Sequence, residues 1–80
     1  MIVSAQVSLY PLRQEQLSPA IREMQAALTS AGLHVTPGPM STLVTGEGAA
    51  LFDALKESFL RAAATGHVVM TATVSNACPV

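Results

Sequence analysis

The chain contains no tryptophan, one tyrosine (Tyr10), two phenylalanines (Phe52 and Phe59) and one cysteine (Cys78) in 80 residues. A lone cysteine excludes an internal disulfide and supplies no metal-ligand spacing. His34 and His67 stand apart, without a neighbouring cysteine or an HxxxH pair, so the sequence gives no support to a metal site. Charge is scarce too, at 11% of residues with a net charge of −1. The four cations, Arg13, Arg22, Lys56 and Arg61, are scattered. No patch could neutralise several phosphates, which argues against a nucleic-acid partner. Long apolar runs are also missing. Met1 to Leu12 is interrupted by Ser4, Gln6 and Ser8 and lacks a basic leader. It reads as neither signal peptide nor membrane span, and the expected compartment is the cytoplasm.

What is abundant is small and medium apolar side chains, at 50% of the chain. Eighty residues allow one domain, residues 1–80. A chain of that length buries roughly 60–65% of the surface its unfolded form exposes. So much apolar content with so little charge points to a homodimer or larger homo-oligomer that hides part of the surface. The plainer reading is that many of these residues are alanines, which bury little area.

From Ile2 to Tyr10 the sequence alternates. Val3, Ala5, Val7 and Leu9 fall on one side, Ser4, Gln6, Ser8 and Tyr10 on the other. This is the period of a half-buried strand, closed by Pro11. Ser18-Pro19 opens a helix, with serine as cap and proline at the first helical position. Leu17, Ile21, Met24, Leu28 and Ala31 form its apolar stripe, and Gly32 ends it. Leu33 to Thr36 is a short strand, followed by a Pro37-Gly38-Pro39 turn. A third strand runs from Met40 to Thr45, where Leu43 and Val44 compete for the inward face. Gly46-Glu47-Gly48 connects to a second helix, about Ala49 to Thr65, with Phe52, Leu55, Phe59 and Ala63 as its apolar stripe. Glu57 and Arg61 have the spacing of an i,i+4 ion pair. His67 to Ser75 alternates again as the last strand. The order βαββαβ predicts an α+β, ferredoxin-like domain: a four-stranded antiparallel sheet with both helices on one face.

Chemistry-bearing residues are few. Cys78, beside Pro79 with no local histidine, reads as a small apolar residue rather than a nucleophile. Glu15, Glu23, Asp53 and Glu57 read as solvated helix charges. Glu47, between two glycines after a strand, is either a surface charge or a loop residue with a function. Gly46-Glu47-Gly48 is too short and too acidic to cradle phosphate. Nothing here assembles a catalytic group, and the chain reads as a binding module rather than an enzyme. The uncovered sheet face carries Ser4, Gln6, Ser8, Tyr10, Thr71, Thr73 and Ser75. It is either an ordinary solvated face or a shallow site. In the second case Tyr10 could stack on a flat ring, with Ser8, Ser41, Thr42, Ser75 and Asn76 offering partners to ring nitrogens.

Five fragments carry a resemblance: Ser8-Leu9-Tyr10-Pro11, Met40-Ser41-Thr42 with Gly46, Phe52-Asp53-Ala54, Ala62-Ala63 and Cys78-Pro79. In order and spacing they are similar to the YkoF-like family of thiamine- and hydroxymethylpyrimidine-binding proteins. The resemblance implies a ferredoxin-like fold, no enzymatic activity, no separate cofactor, and thiamine or its hydroxymethylpyrimidine moiety as ligand, with a role in precursor uptake or delivery. It implies pocket positions at Ser8, Tyr10, Ser41 and Thr42 and in the segment before Cys78-Pro79. Asn76-Ala77 depart from that segment's usual apolar residue and glycine. Better-known members carry two such domains in tandem, so a single domain would need a homo-oligomer to reproduce the pairing. The competing class is a regulatory or oligomerisation domain of the same fold without a small-molecule ligand.

Overall fold

Residues 1–13 and 18–77 are described by a computed structural model of the chain. The elements follow in the order β1 (Ile2–Leu12), α1 (Ser18–Ser30), β2 (His34–Pro37), β3 (Thr42–Glu47), α2 (Gly48–Ala63) and β4 (His67–Ser75). The strands form one antiparallel sheet in the order β2-β3-β1-β4. Two helices lie against one of its faces, which is the ferredoxin-like arrangement that the element order predicts. Leu17, Glu15, Cys78 and Pro79 fall outside the described residues. Among the described residues no helix is long and apolar enough to cross a membrane.

Alternation along β1 places Val3, Ala5, Val7 and Leu9 in the core, all below a tenth exposed. On the neighbouring strand Val44 is fully buried and pairs with Ala5, so β3 turns Val44 and Thr42 inward and Leu43 to the open face. Gly46 ends that inward row, because a side chain there would collide with Leu33. Pro11 does not close β1. The strand continues to Leu12, with Pro11 opposite Val68. Beyond Val7 β1 has lost β3 and keeps only β4, so a missing backbone donor is tolerated there.

Met24 and Leu28 of α1 are buried as their spacing predicts, with Ala20 and Ala27 beside them, whereas Ala31 is exposed. Gly32 follows with φ of +80°, the left-handed stop expected of it. The second helix is rotated from its expected phase. Its buried residues are Leu51, Ala54, Ser58 and Ala62, while Phe52 is 58% exposed and Leu55 and Ala63 are only partly covered. Each true core position lies one residue before an expected one. Small residues at 54, 58 and 62 let α2 lie close to α1 and the sheet, a separation into which a phenylalanine would not fit. Ser58 satisfies its hydroxyl by donating to the Leu55 carbonyl at 2.9 Å. Arg61 also differs from expectation. It reaches across to Glu23 of α1, at 3.0 and 3.1 Å, rather than to Glu57.

Candidate functional site

Pairing between β1 and β3 stops at Val7 and Thr42. Past that point the chain before β3 turns back on itself, with Gly38 N–H donating to the Ser41 carbonyl at 2.8 Å. The turn therefore peels away from β1 and opens a gap at one end of the sheet, between its two inner strands. Ser8 holds the two sides together, its hydroxyl donating to the Met40 carbonyl at 3.4 Å. Ile21, Met24 and Gln25 of α1 close the gap from the helix side. The result is a pocket of about 100 Å³, lined also by Val7, Leu9 and residues 38–42.

Its chemistry is mixed. Val7, Leu9, Ile21 and Met24 supply apolar walls, and Ser8, Ser41, Thr42 and Gln25 supply polar groups. An apolar cavity of roughly 150 Å³ holds a benzene ring, so this pocket of about 100 Å³ must widen to take a small ring. Thr42 is only 4% exposed and faces the helices, where its hydroxyl accepts a hydrogen bond from the Gln25 side-chain amide at 3.4 Å. Tyr10 lies two residues beyond Ser8 on the open face, paired with Val69 and 54% exposed. Two residues of strand are about 7 Å, and Tyr10 is not among the residues that line the pocket.

The sequence-derived candidates therefore divide. Ser8, Ser41 and Thr42 meet in one pocket with Tyr10 close by. Glu47, Ser75 and Asn76 do not join them within one chain. Glu47 pairs with Ile2 and Ser75 with Ser4, at the opposite end of β1. From Ser8 these positions are roughly 13–20 Å along the strand. There Glu47 accepts from the Met1 ammonium at 2.9 Å, and Asn76 Nδ2 lies 3.5 Å from the Met1 sulfur. The hydrogen bond from that ammonium, then its charge, hold the Glu47 carboxyl below its ordinary value of 4.5. Ser75 accepts from the Ala77 N–H at 3.0 Å and so serves the local turn.

Gln25 is the pocket residue that sequence reasoning missed. A single glutamine on a helix has no pattern of its own. Its one signal is position: Gln25 follows Met24 and lies four residues after Ile21, at the border of the α1 stripe.

The antiparallel sheet and the βαββαβ order of its elements define a ferredoxin-like domain. The chain belongs to the YKOF-related family, whose model matches residues 2–80. Solved structures share the fold. A hypothetical protein of Methanocaldococcus jannaschii superposes with a TM-score of 0.85 at 22% identity, over 94% of this chain and 79% of that one. A Streptococcus pneumoniae protein gives 0.86 at 23% identity, over 94% and 86%. A Thermotoga maritima protein provisionally assigned to thiamine biosynthesis or salvage gives 0.82 at 21%, over 92% and 82%. No curated protein matches the chain significantly.

Proposed function

We propose that the chain is a non-catalytic binding protein for thiamine or its hydroxymethylpyrimidine moiety, acting in the uptake or delivery of thiamine precursors in the cytoplasm. The observation that carries this reading is the convergence of Ser8, Ser41, Thr42 and Gln25 on one pocket of about 100 Å³ with apolar walls. Ring nitrogens and an exocyclic amine need donors and acceptors at the edge of the ring and apolar contact on its faces, which is the division seen here. At about 100 Å³ the pocket takes the substituted pyrimidine ring only by widening at its open side. In thiamine the thiazolium would then lie outside, towards Tyr10, where an aromatic face attracts a cation. Membership of the YKOF-related family and the likeness to a protein linked to thiamine salvage support the same ligand. No cofactor takes part in this reading.

Thiamine has about 18 heavy atoms. At roughly 0.3 kcal/mol per atom it gains about 5–6 kcal/mol, a dissociation constant near roughly 100 μM. Micromolar binding would require several well-aimed hydrogen bonds. Calorimetry with thiamine and free hydroxymethylpyrimidine tests the proposal. Binding of either between about 1 and 100 μM, with a raised melting temperature, is the expected result. Absence of heat with both compounds up to millimolar concentration overturns it and leaves the regulatory or oligomerisation domain as the reading.

A further inference from the structure

The two edges of the sheet differ. The β2 edge is four residues long and ends in Pro37. The β4 edge runs for nine residues, His67–Ser75, with no proline and no Asp, Glu, Lys or Arg. Its register with β1 is unbroken, so it holds no bulge either. Short length, proline, charge and bulges are the usual means of keeping a strand edge from pairing with another chain, and β4 has none of them. The direction of its outer backbone groups follows from Pro11. Opposed residues of antiparallel strands alternate between exchanging hydrogen bonds and turning their N–H and C=O groups away from each other. Pro11 has no N–H yet stands opposite Val68, so that pair is of the second kind. Met70, Ala72 and Val74 share the phase of Val68. All four therefore aim their backbone donors and acceptors out of the edge, where no strand of the described residues lies. Their side chains face the helix layer but are incompletely covered. Ala72 is exposed although its partner Val7 is fully buried. Phe52 and Phe59, both exposed, lie seven residues apart on the flank of α2 opposite Arg61. Arg61 reaches α1, so the two rings overlook β4.

We propose that the β4 edge is an interaction surface for a second copy of the chain, the two β4 strands pairing antiparallel about Thr71 into one continuous sheet. With the two-fold axis at Thr71 all nine residues of the strand find partners. Val68 of one copy meets Val74 of the other, and Met70 meets Ala72, a large side chain against a small one. These pairs, each occurring twice, exchange about eight backbone hydrogen bonds, within the range of a typical interface. Thr71 stands opposite its own copy on the open face, a favourable cross-strand pair. Any shift of register leaves outward groups at the strand ends unmatched. Charge selects the same partner. An uncharged edge is complemented by an uncharged strand, and β4 is such a strand. This surface involves neither the pocket nor stacking on the open face, so it holds whatever the ligand is.

Amide hydrogen exchange and light scattering on the same wild-type sample, at about millimolar concentration, provide the test. Val69, Thr71 and Thr73 donate to β1 and are protected in one chain alone. Met70 and Ala72 gain protection only from a strand beyond the edge, and their exchange should be slowed at least about 10-fold, at a mass of twice 8.3 kDa or more. Free exchange at Met70 and Ala72 overturns the proposal at any mass, because assembly then uses another surface. Protection of both at 8.3 kDa also overturns it, by showing that the chain covers its own edge. Ala72→Pro removes a donor that points out of the sheet and leaves the β1 ladder intact. It should halve the mass and release Met70 to fast exchange. A folded Ala72→Pro that keeps the wild-type mass overturns the assignment. Should that variant fail to fold, the wild-type exchange pattern decides alone.

Discussion

Ser58 is fully buried while its neighbour Phe59 is 38% exposed, so α2 turns the smaller, more polar residue of the pair to the core. Packing density decides this. Ala54, Ser58 and Ala62 recur every four residues along the line where α2 meets α1 and the sheet. Phe59→Ala should therefore cost only about 1 kcal/mol or less, well below the roughly 3–5 kcal/mol of a buried phenylalanine. Ala62→Leu, which adds volume to a closed site, should cost at least about 1–3 kcal/mol. Urea denaturation of the two variants checks the order. A Phe59→Ala loss larger than that of Ala62→Leu would return the helix to the phase its hydrophobicity suggests.

A second prediction separates an interhelical contact from a local one. Arg61 pairs with Glu23 of α1 at 3.0 Å, but both side chains are more than a third exposed. Solvent screening limits such a pair to about 0.2–1 kcal/mol. In a double-mutant cycle Arg61→Ala and Glu23→Ala should show coupling of that size, falling with added salt. The cycle of Arg61 with Glu57 should show less. Equal coupling in both cycles would mean that Arg61 divides its time between the two carboxylates.

Elements with a clean period were legible in the sequence, and their mutual placement was less so. Val3 to Leu9 and Val68 to Val74 alternate, and a period of two has one structural meaning. The phase of α2 was obscured because Phe52 and Phe59 outweigh alanine on any hydrophobicity scale, although alanine packs closer. At the candidate site, Ser8, Ser41 and Thr42 were legible as hydroxyls near strand ends, and two strands, β1 and β3, with the turn before β3 bring them together. Glu47, Ser75 and Asn76 also lie near strand ends. They belong to the other end of the sheet because antiparallel β3 begins beside Val7 and finishes beside Ile2. Gln25 left no periodic signal at all. Its importance comes from a contact between elements 17 positions apart in sequence.

A third prediction follows from Glu47. The Met1 ammonium holds its carboxyl below the ordinary value of 4.5. A carboxylate whose folded value is depressed stabilises the fold above its unfolded value, and that contribution disappears as pH falls through the folded value. Glu47→Gln should thus melt slightly below the wild type at neutral pH, and the gap should close on acidification from about pH 5 to about pH 3. The effect is small, because the carboxylate is exposed. A gap of the same size at both ends of that range would show that charge plays no part in it.

The fourth prediction concerns assembly. On the open face of the sheet Tyr10 and Val69 are cross-strand partners at 54% and 44% exposure, with Leu12 beside them at 46%. Along the same face run Gln6, Ser8, Thr71 and Thr73, none of them charged. A second sheet could stack there without stripping water from an ion, and the partner best matched in size and polarity is a second copy of the chain. Such a homodimer would cover Tyr10 and bring another chain's surface to the mouth of the pocket. Light scattering should then return at least twice the 8.3 kDa chain mass at micromolar concentration. Thr71→Lys, which sets a charge opposite Ser8 in the middle of the face, should lower that mass towards one chain and leave the helical signal intact. A wild type that stays near 8.3 kDa would mean that the face is solvated and that the pocket must function with Tyr10 uncovered.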